Sequence, residues 1–180
     1  MTDGWEGILD QDEAILWQGR PDGAFHFDIG NIFALLFGIF FAGFALFWML
    51  MAAQAGGFFW MFGLLHFFVG LGVAIGPAFY STFCRRHTWY TLTNRRAFIA
   101  TDIPIKGKSL DSYPITRSTS MSLQEGPPDT IWFASTTKRT KNGTKTVKIG
   151  FERIDGGRDV LRMMRDVQED RAKTGATAHE

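Results

Sequence analysis

The sequence predicts a membrane α-helical hairpin joined to a mainly-β cytoplasmic domain. Three observations carry this. Between Asn31 and Phe83 there is no Asp, Glu, Lys or Arg. That stretch is interrupted once, at Gln54-Ala55-Gly56-Gly57, which divides it into two apolar runs. Beyond it the pattern changes to short segments rich in β-branched and aromatic residues, punctuated by turn residues.

The net charge of +1 conceals a strong asymmetry. Residues 1–80 hold one Arg against seven Asp and Glu, about −6, whereas residues 81–180 hold 18 Lys and Arg against 11 Asp and Glu, about +7. The basic part begins where the apolar block ends. The chain also carries 18 Phe and 6 Trp, a heavy aromatic load. Its organisation reads as a cytoplasmic N-terminal segment (1–30), the hairpin (31–83), the strand-rich domain (84–171) and a disordered tail (172–180).

Taken in order, Glu13 to Pro21 reads as a short strand ended by a turn. A secretory signal is not expected, because the first thirty residues are acidic and the apolar run after them is too long. The spans fall at about 32–53 and 58–80. Each makes a helix of roughly 33 Å, enough for a hydrocarbon core of about 30 Å. The short connection between them makes the helices antiparallel neighbours. Gly38 and Ala42 lie on a small-residue face of the first helix, and Gly70 and Ala74 on one of the second. Such faces let backbones approach, within the hairpin or between protomers. Gly72-x-x-x-Gly76 offers another close-packing face. The loop at 54–57 carries no charge, whereas Arg20 precedes the first span and Arg85 and Arg86 follow the second, so both termini are expected in the cytoplasm.

The domain after the spans reads as strands at 87–93, 96–101, 109–115, 118–124, 130–136 and 145–151, with Asn142-Gly143 as the last turn signal. The final element is a helix with Asp155 as N-cap and an apolar stripe of Val160, Leu161, Met164 and Val167.

The run Trp89-Tyr-Thr-Leu-Thr-Asn-Arg-Arg96, following a two-span hairpin, resembles the tyrosine–leucine–threonine–asparagine–arginine signature of bacterial pleckstrin-homology-like domains. Leu16-Trp-Gln-Gly-Arg-Pro21 is similar to the stretch that precedes the hairpin in such proteins. The resemblance covers residues 10 to about 170. It implies two packed antiparallel sheets capped by a C-terminal helix, and no catalytic activity. The strand pattern adds that Tyr90 and Leu92 share the core face, while Thr93-Asn94 starts a turn with Arg95 polar at its edge.

No catalytic, metal-binding or cofactor-binding constellation is expected. His26, His66, His87 and His179 are scattered, and the single Cys84 fits a reducing compartment and completes no metal motif. His66 lacks an ionisable partner in either span, so a hydrogen bond to a neighbouring helix or to a backbone carbonyl is expected for it. Gly107-Lys108-Ser109 supplies only the end of a phosphate-loop pattern. Lys138, Arg139, Lys141, Lys145 and Lys148 place five positive charges within eleven residues.

The expected function is therefore a non-enzymatic binding or scaffold module anchored in the bacterial inner membrane, working through a membrane or cytoplasmic protein partner or through self-assembly. One alternative is sensing of anionic lipid headgroups by the basic hairpin 138–148. Another is an accessory subunit of a transport or envelope complex. Nucleic acid is disfavoured, because the basic residues lack interleaved aromatics.

Overall fold

Strand β1 (Ile15–Gly19) and strand β2 (Thr88–Thr93) are separated by both apolar helices, yet they pair antiparallel, with Gln18 opposite Thr91 and Gly19 opposite Tyr90. This pairing organises the molecule. The structure is a computed structural model and describes residues 5–26, 29–104, 106–140 and 143–177. The chain divides into two compact units, Gly23–Cys84 and the combination of Met1–Asp22 with Arg85–Glu180. The N-terminal strand thus belongs to the same unit as the C-terminal domain.

The first unit is a pair of long apolar helices, α1 (Ile32–Gln54) and α2 (Phe62–Arg86). At 23 and 25 residues they extend about 35 and 38 Å. A single 3-10 turn, Phe59–Met61, leads into α2, and the helix continues past Tyr80 to Arg86 with Pro77 inside it. The two are long and apolar enough to cross a membrane. Their outward faces carry large apolar side chains, with Phe33 79% and Phe40 74% exposed. The inward faces are small. Gly38, Ala42, Gly70 and Ala74 are buried and meet in the contact between α1 and α2. A methyl group on Gly38 would stand 2.5 Å from the Gly70 carbonyl oxygen, and one on Gly70 would stand 2.6 Å from the Ala42 nitrogen. Backbone therefore lies against backbone. Gly72 and Gly76 face open space. His66 Nδ1 lies 3.2 Å from the Phe62 carbonyl oxygen, one turn back on its own helix.

The second unit holds two antiparallel sheets and a helix. The four-stranded sheet runs β1-β2-β3-β4, with β3 at Arg96–Ile103 and β4 at Gly107–Pro114. The three-stranded sheet runs β5-β6-β7, with β5 at Ser122–Gln124, β6 at Asp129–Thr140 and β7 at Gly143–Ile154. Alternation sends Tyr90 and Leu92 inward, where they join Ile131, Phe133, Phe151 and Ile154 in one core. Helix α3 (Gly157–Thr177) closes it with Val160, Leu161, Met164 and Val167.

Several boundaries differ from the sequence expectation. The segment 118–124 forms a strand only from Ser122, because residues 116–119 make a turn: Thr119 N–H donates to the Thr116 carbonyl at 3.0 Å. The Gln168 amide of α3 donates to the carbonyls of Thr116, Arg117 and Thr119 and holds that turn. Asp155 does not cap α3. The first helical bond runs from Val160 N–H to the Gly156 carbonyl, and Gly156 has φ +67°, a conformation that favours glycine. Nor does the chain leave the helix at 172, since α3 continues to Thr177. Residues 178–180, including His179, lie outside the described residues, as does Asn142 of the last turn signal.

Candidate binding surfaces

The Thr93-Asn94-Arg95-Arg96 run is a clamp on the N-terminal segment. Glu13 reaches it from that segment and is buried, 8% exposed. Thr93 donates its hydroxyl to Glu13 Oε1 at 2.6 Å. Arg96 closes a two-point pair, Nε to Oε1 at 3.0 Å and Nη2 to Oε2 at 2.7 Å, and Asp10 N–H donates to Oε2 at 3.0 Å. Asn94 accepts the Ala14 N–H at 3.1 Å and donates its amide to the Asp12 carbonyl at 3.0 Å. Arg95 lies 3.6 Å from Asp10. Desolvation acts to raise the Glu13 pKa. The hydrogen bonds from Arg96, Thr93 and Asp10 and the Arg96 charge outweigh it, so the carboxyl is lowered from 4.5 to about 2. In this network Thr93, Asn94 and Arg96 act on this chain's own backbone and on Glu13. Sequence reasoning passed over Glu13, whose partners lie beyond both helices.

A second clasp joins the two flanks of the helical hairpin. Asp22 N–H donates to the Arg153 carbonyl at 2.7 Å, and the Asp22 carboxylate accepts from Arg153 Nη2 at 2.9 Å. Arg85 donates from Nε to the Asp22 carbonyl at 3.3 Å. Arg85, one of the two arginines that end α2, thus bonds the Asp22 backbone within the same compact unit. Arg86, the last residue of α2, stands beside it.

The basic residues of the last hairpin do not form a single patch. Beyond Ala134, β6 is exposed, and with β7 it extends as a two-stranded arm of about 20 Å. Register places Lys138 directly opposite Lys145. They share a face with Thr136 and Val147, while Arg139 shares the other with Thr137, Thr146 and Lys148. Lys141 lies outside the described residues. The arm therefore presents positive charge on both faces, and its facing lysines repel each other.

The outer face of the four-stranded sheet carries a groove of about 720 Å³. Trp89 and Ala100 are cross-strand partners there, as are Thr91 with Phe98 and Ala100 with Leu110. Phe98 points away from the core yet is only 2% exposed. Trp5 packs edge-on against it, with ring centroids 5.3 Å apart, and the Arg96 guanidinium lies 5.1 Å from its ring centroid. Arg20 stacks on Trp89, 4.6 Å from the ring centroid. Gly107-Lys108-Ser109 is not a turn but the start of β4, where Lys108 pairs opposite Asp102, stands 3.9 Å from its carboxylate and belongs to this rim.

Cys84 is half-buried. Among the described residues no three His, Cys, Asp or Glu side chains gather in a way that could hold a metal ion. No protein-family model, curated protein or solved structure matches the chain.

Proposed function

We propose that this chain is a non-enzymatic binding module anchored to the cytoplasmic face of a bacterial inner membrane, with a pleckstrin-homology-like domain whose basic arm contacts anionic headgroups. The observation that carries the anchor is the β1–β2 pairing. Strands on either side of α1 and α2 share one sheet, so the helices must leave and return on the same side of a bilayer. Two crossings satisfy this, and one does not. Arg20, Arg85 and Arg86 at the flanks, against an uncharged 54–57 loop, make that side the cytoplasm. The pleckstrin-homology-like reading is supported by the four- and three-stranded antiparallel sheets with a helix after the last strand.

The arm supports the headgroup contact. An isolated two-stranded ribbon is marginal in water, and this one adds a facing lysine pair. An anionic surface offsets that repulsion at about 1 kcal/mol per basic residue near it. Residues 81–180 alone lack β1, so the soluble form for testing joins 1–22 to 85–180 through a short flexible linker. In vesicle co-sedimentation this form should prefer anionic over neutral lipid. Reversing Lys138, Arg139 and Lys145 to Glu should weaken anionic binding on the order of 100-fold, from about 3 kcal/mol. Equal affinity for neutral and anionic vesicles would reject the contact.

A protein partner or self-assembly is the second reading, favoured by β4. This eight-residue strand is one of the two edges of its sheet and is exposed along almost its whole length, so it offers unpaired backbone groups to an added strand.

A further inference from the structure

The groove on the four-stranded sheet has a composition the clamp and the arm do not explain. Its lining is mainly apolar, from Trp5 and Ile8 of the N-terminal segment and from Trp89, Phe98, Ala100 and Leu110 of the sheet. Ile8 and Leu110 remain 37% and 41% exposed, so the N-terminal segment covers Phe98 without filling the space. At about 720 Å³ the groove lies within the range of roughly 300–1,000 Å³ typical of small-ligand sites. Its charges are unequal. Lys108 and Asp102 offset one another, whereas Arg20 meets the face of Trp89 and no acid among the described residues. The net charge of the rim is therefore positive, and the cation is held in place by an aromatic ring.

The position of that cation in the chain selects the occupant. Arg20 directly follows β1, which ends at Gly19, and Trp89 lies at the start of β2. These are the strand ends that lead into α1 and out of α2. An apolar groove with a cation in its lining complements an amphiphile bearing one anionic head. The tether holds the groove near such molecules at high effective concentration. We propose that the groove seats an acyl chain of an anionic phospholipid from the bilayer in which the helices are anchored, with Arg20 meeting the headgroup. The proposal rests on the membrane-anchor reading and is independent of the arm.

The test uses the full chain in nanodiscs carrying a trace phospholipid with a photoactivatable diazirine in its acyl chain. The probe has a phosphatidylglycerol or a phosphatidylcholine head and is otherwise identical. Cross-links are mapped by peptide mass spectrometry. Labelling of α1 and α2 in both discs reports on the anchor. Labelling of the tryptic peptides 97–106 and 109–117, which carry Phe98, Ala100 and Leu110, reports on the groove. The expected result is groove labelling at least fivefold stronger with the anionic probe. Arg20→Glu should reduce it to the neutral-probe level. Ala100→Trp, which fills the floor, and Leu110→Glu, which places a carboxylate in it, should each abolish it while α1 and α2 label as before. Leu110 is exposed, so its variant keeps the test decisive should Ala100→Trp misfold. Labels confined to α1 and α2 would overturn the proposal, including the case in which a peptide or a second copy of the chain fills the groove. So would equal groove labelling by the two heads, or labelling that survives both Ala100→Trp and Leu110→Glu. Absence of labelling on α1 and α2 would reject the anchor itself.

Discussion

Glu13→Ala should lower the stability of the sheet unit by about 3 kcal/mol. Removing one partner of a buried ion pair costs roughly 3–5 kcal/mol, because the other charge loses its compensation. Arg96 is 24% exposed and recovers some hydration, which places the expected loss at the lower end. The substitution also strips acceptors from the Thr93 hydroxyl and the Asp10 N–H, so the N-terminal segment loses its hold on the β2–β3 turn. Far-UV circular dichroism of the purified full chain in detergent should show the sheet unit melting more than about 10 °C lower. Trypsin should also reach Arg20 sooner. A Glu13→Ala/Arg96→Ala double variant should lose much less than the sum of the two singles, because they act on one interaction.

The same carboxyl makes stability depend on pH in a defined window. Its folded pKa, about 2, lies below the ordinary 4.5, so the folded state favours the ionised form. The contribution is complete above about pH 4.5 and declines as pH falls toward 2, by about 3 kcal/mol in all. Glu13→Ala should lack this component of the acid transition. An unchanged acid transition in the variant would mean that other carboxylates govern it.

Gly70→Leu should force α1 and α2 apart. The added side chain would start 2.6 Å from the Ala42 nitrogen and 2.9 Å from the Gly38 carbonyl oxygen. Those are backbone atoms, so no rotamer change relieves the contact. Overpacking costs about 1–3 kcal/mol even where side chains yield. Spin labels at the outward-facing positions 40 and 69, in a Cys84→Ser background, provide the readout. Electron–electron distances between them should lengthen and broaden in Gly70→Leu. Gly72→Leu, where the space is open, should leave them unchanged. Similar behaviour of the two variants would contradict backbone-on-backbone packing within the hairpin.

The two apolar helices were legible because composition alone marks a charge-free stretch of that length. The amphipathic face of α3 and the Thr93-Asn94 turn were legible for a related reason: periodicity and turn chemistry are local. The β1–β2 partnership was not, because both helices intervene and Ile15 to Gly19 carries no mark of its partner. Glu13 escaped for the same cause, since a buried acid reads as a surface acid until Arg96 is placed beside it. The division of the basic arm could have been read. Lys138 and Arg139 are adjacent in a strand, and adjacent strand residues take opposite faces. The full reach of β6 and β7 was hidden, because the Thr- and Lys-rich outer halves lack an apolar alternation and are ordered by pairing with each other. At α3, Gly156 took the capping position through its left-handed backbone, a preference outweighed in the sequence by the neighbouring Asp155.

The most direct measurement is accessibility of single cysteines to a membrane-impermeant maleimide, in the Cys84→Ser background, on intact cells and on inverted vesicles. Because β1 and β2 share a sheet while α1 and α2 lie between them, Gln11→Cys and Ser135→Cys should label only in inverted vesicles, and Gly56→Cys only in intact cells. Labelling of positions 11 and 135 from opposite sides, or of position 56 from the same side as both, would contradict a hairpin that crosses the bilayer twice and returns to its own sheet.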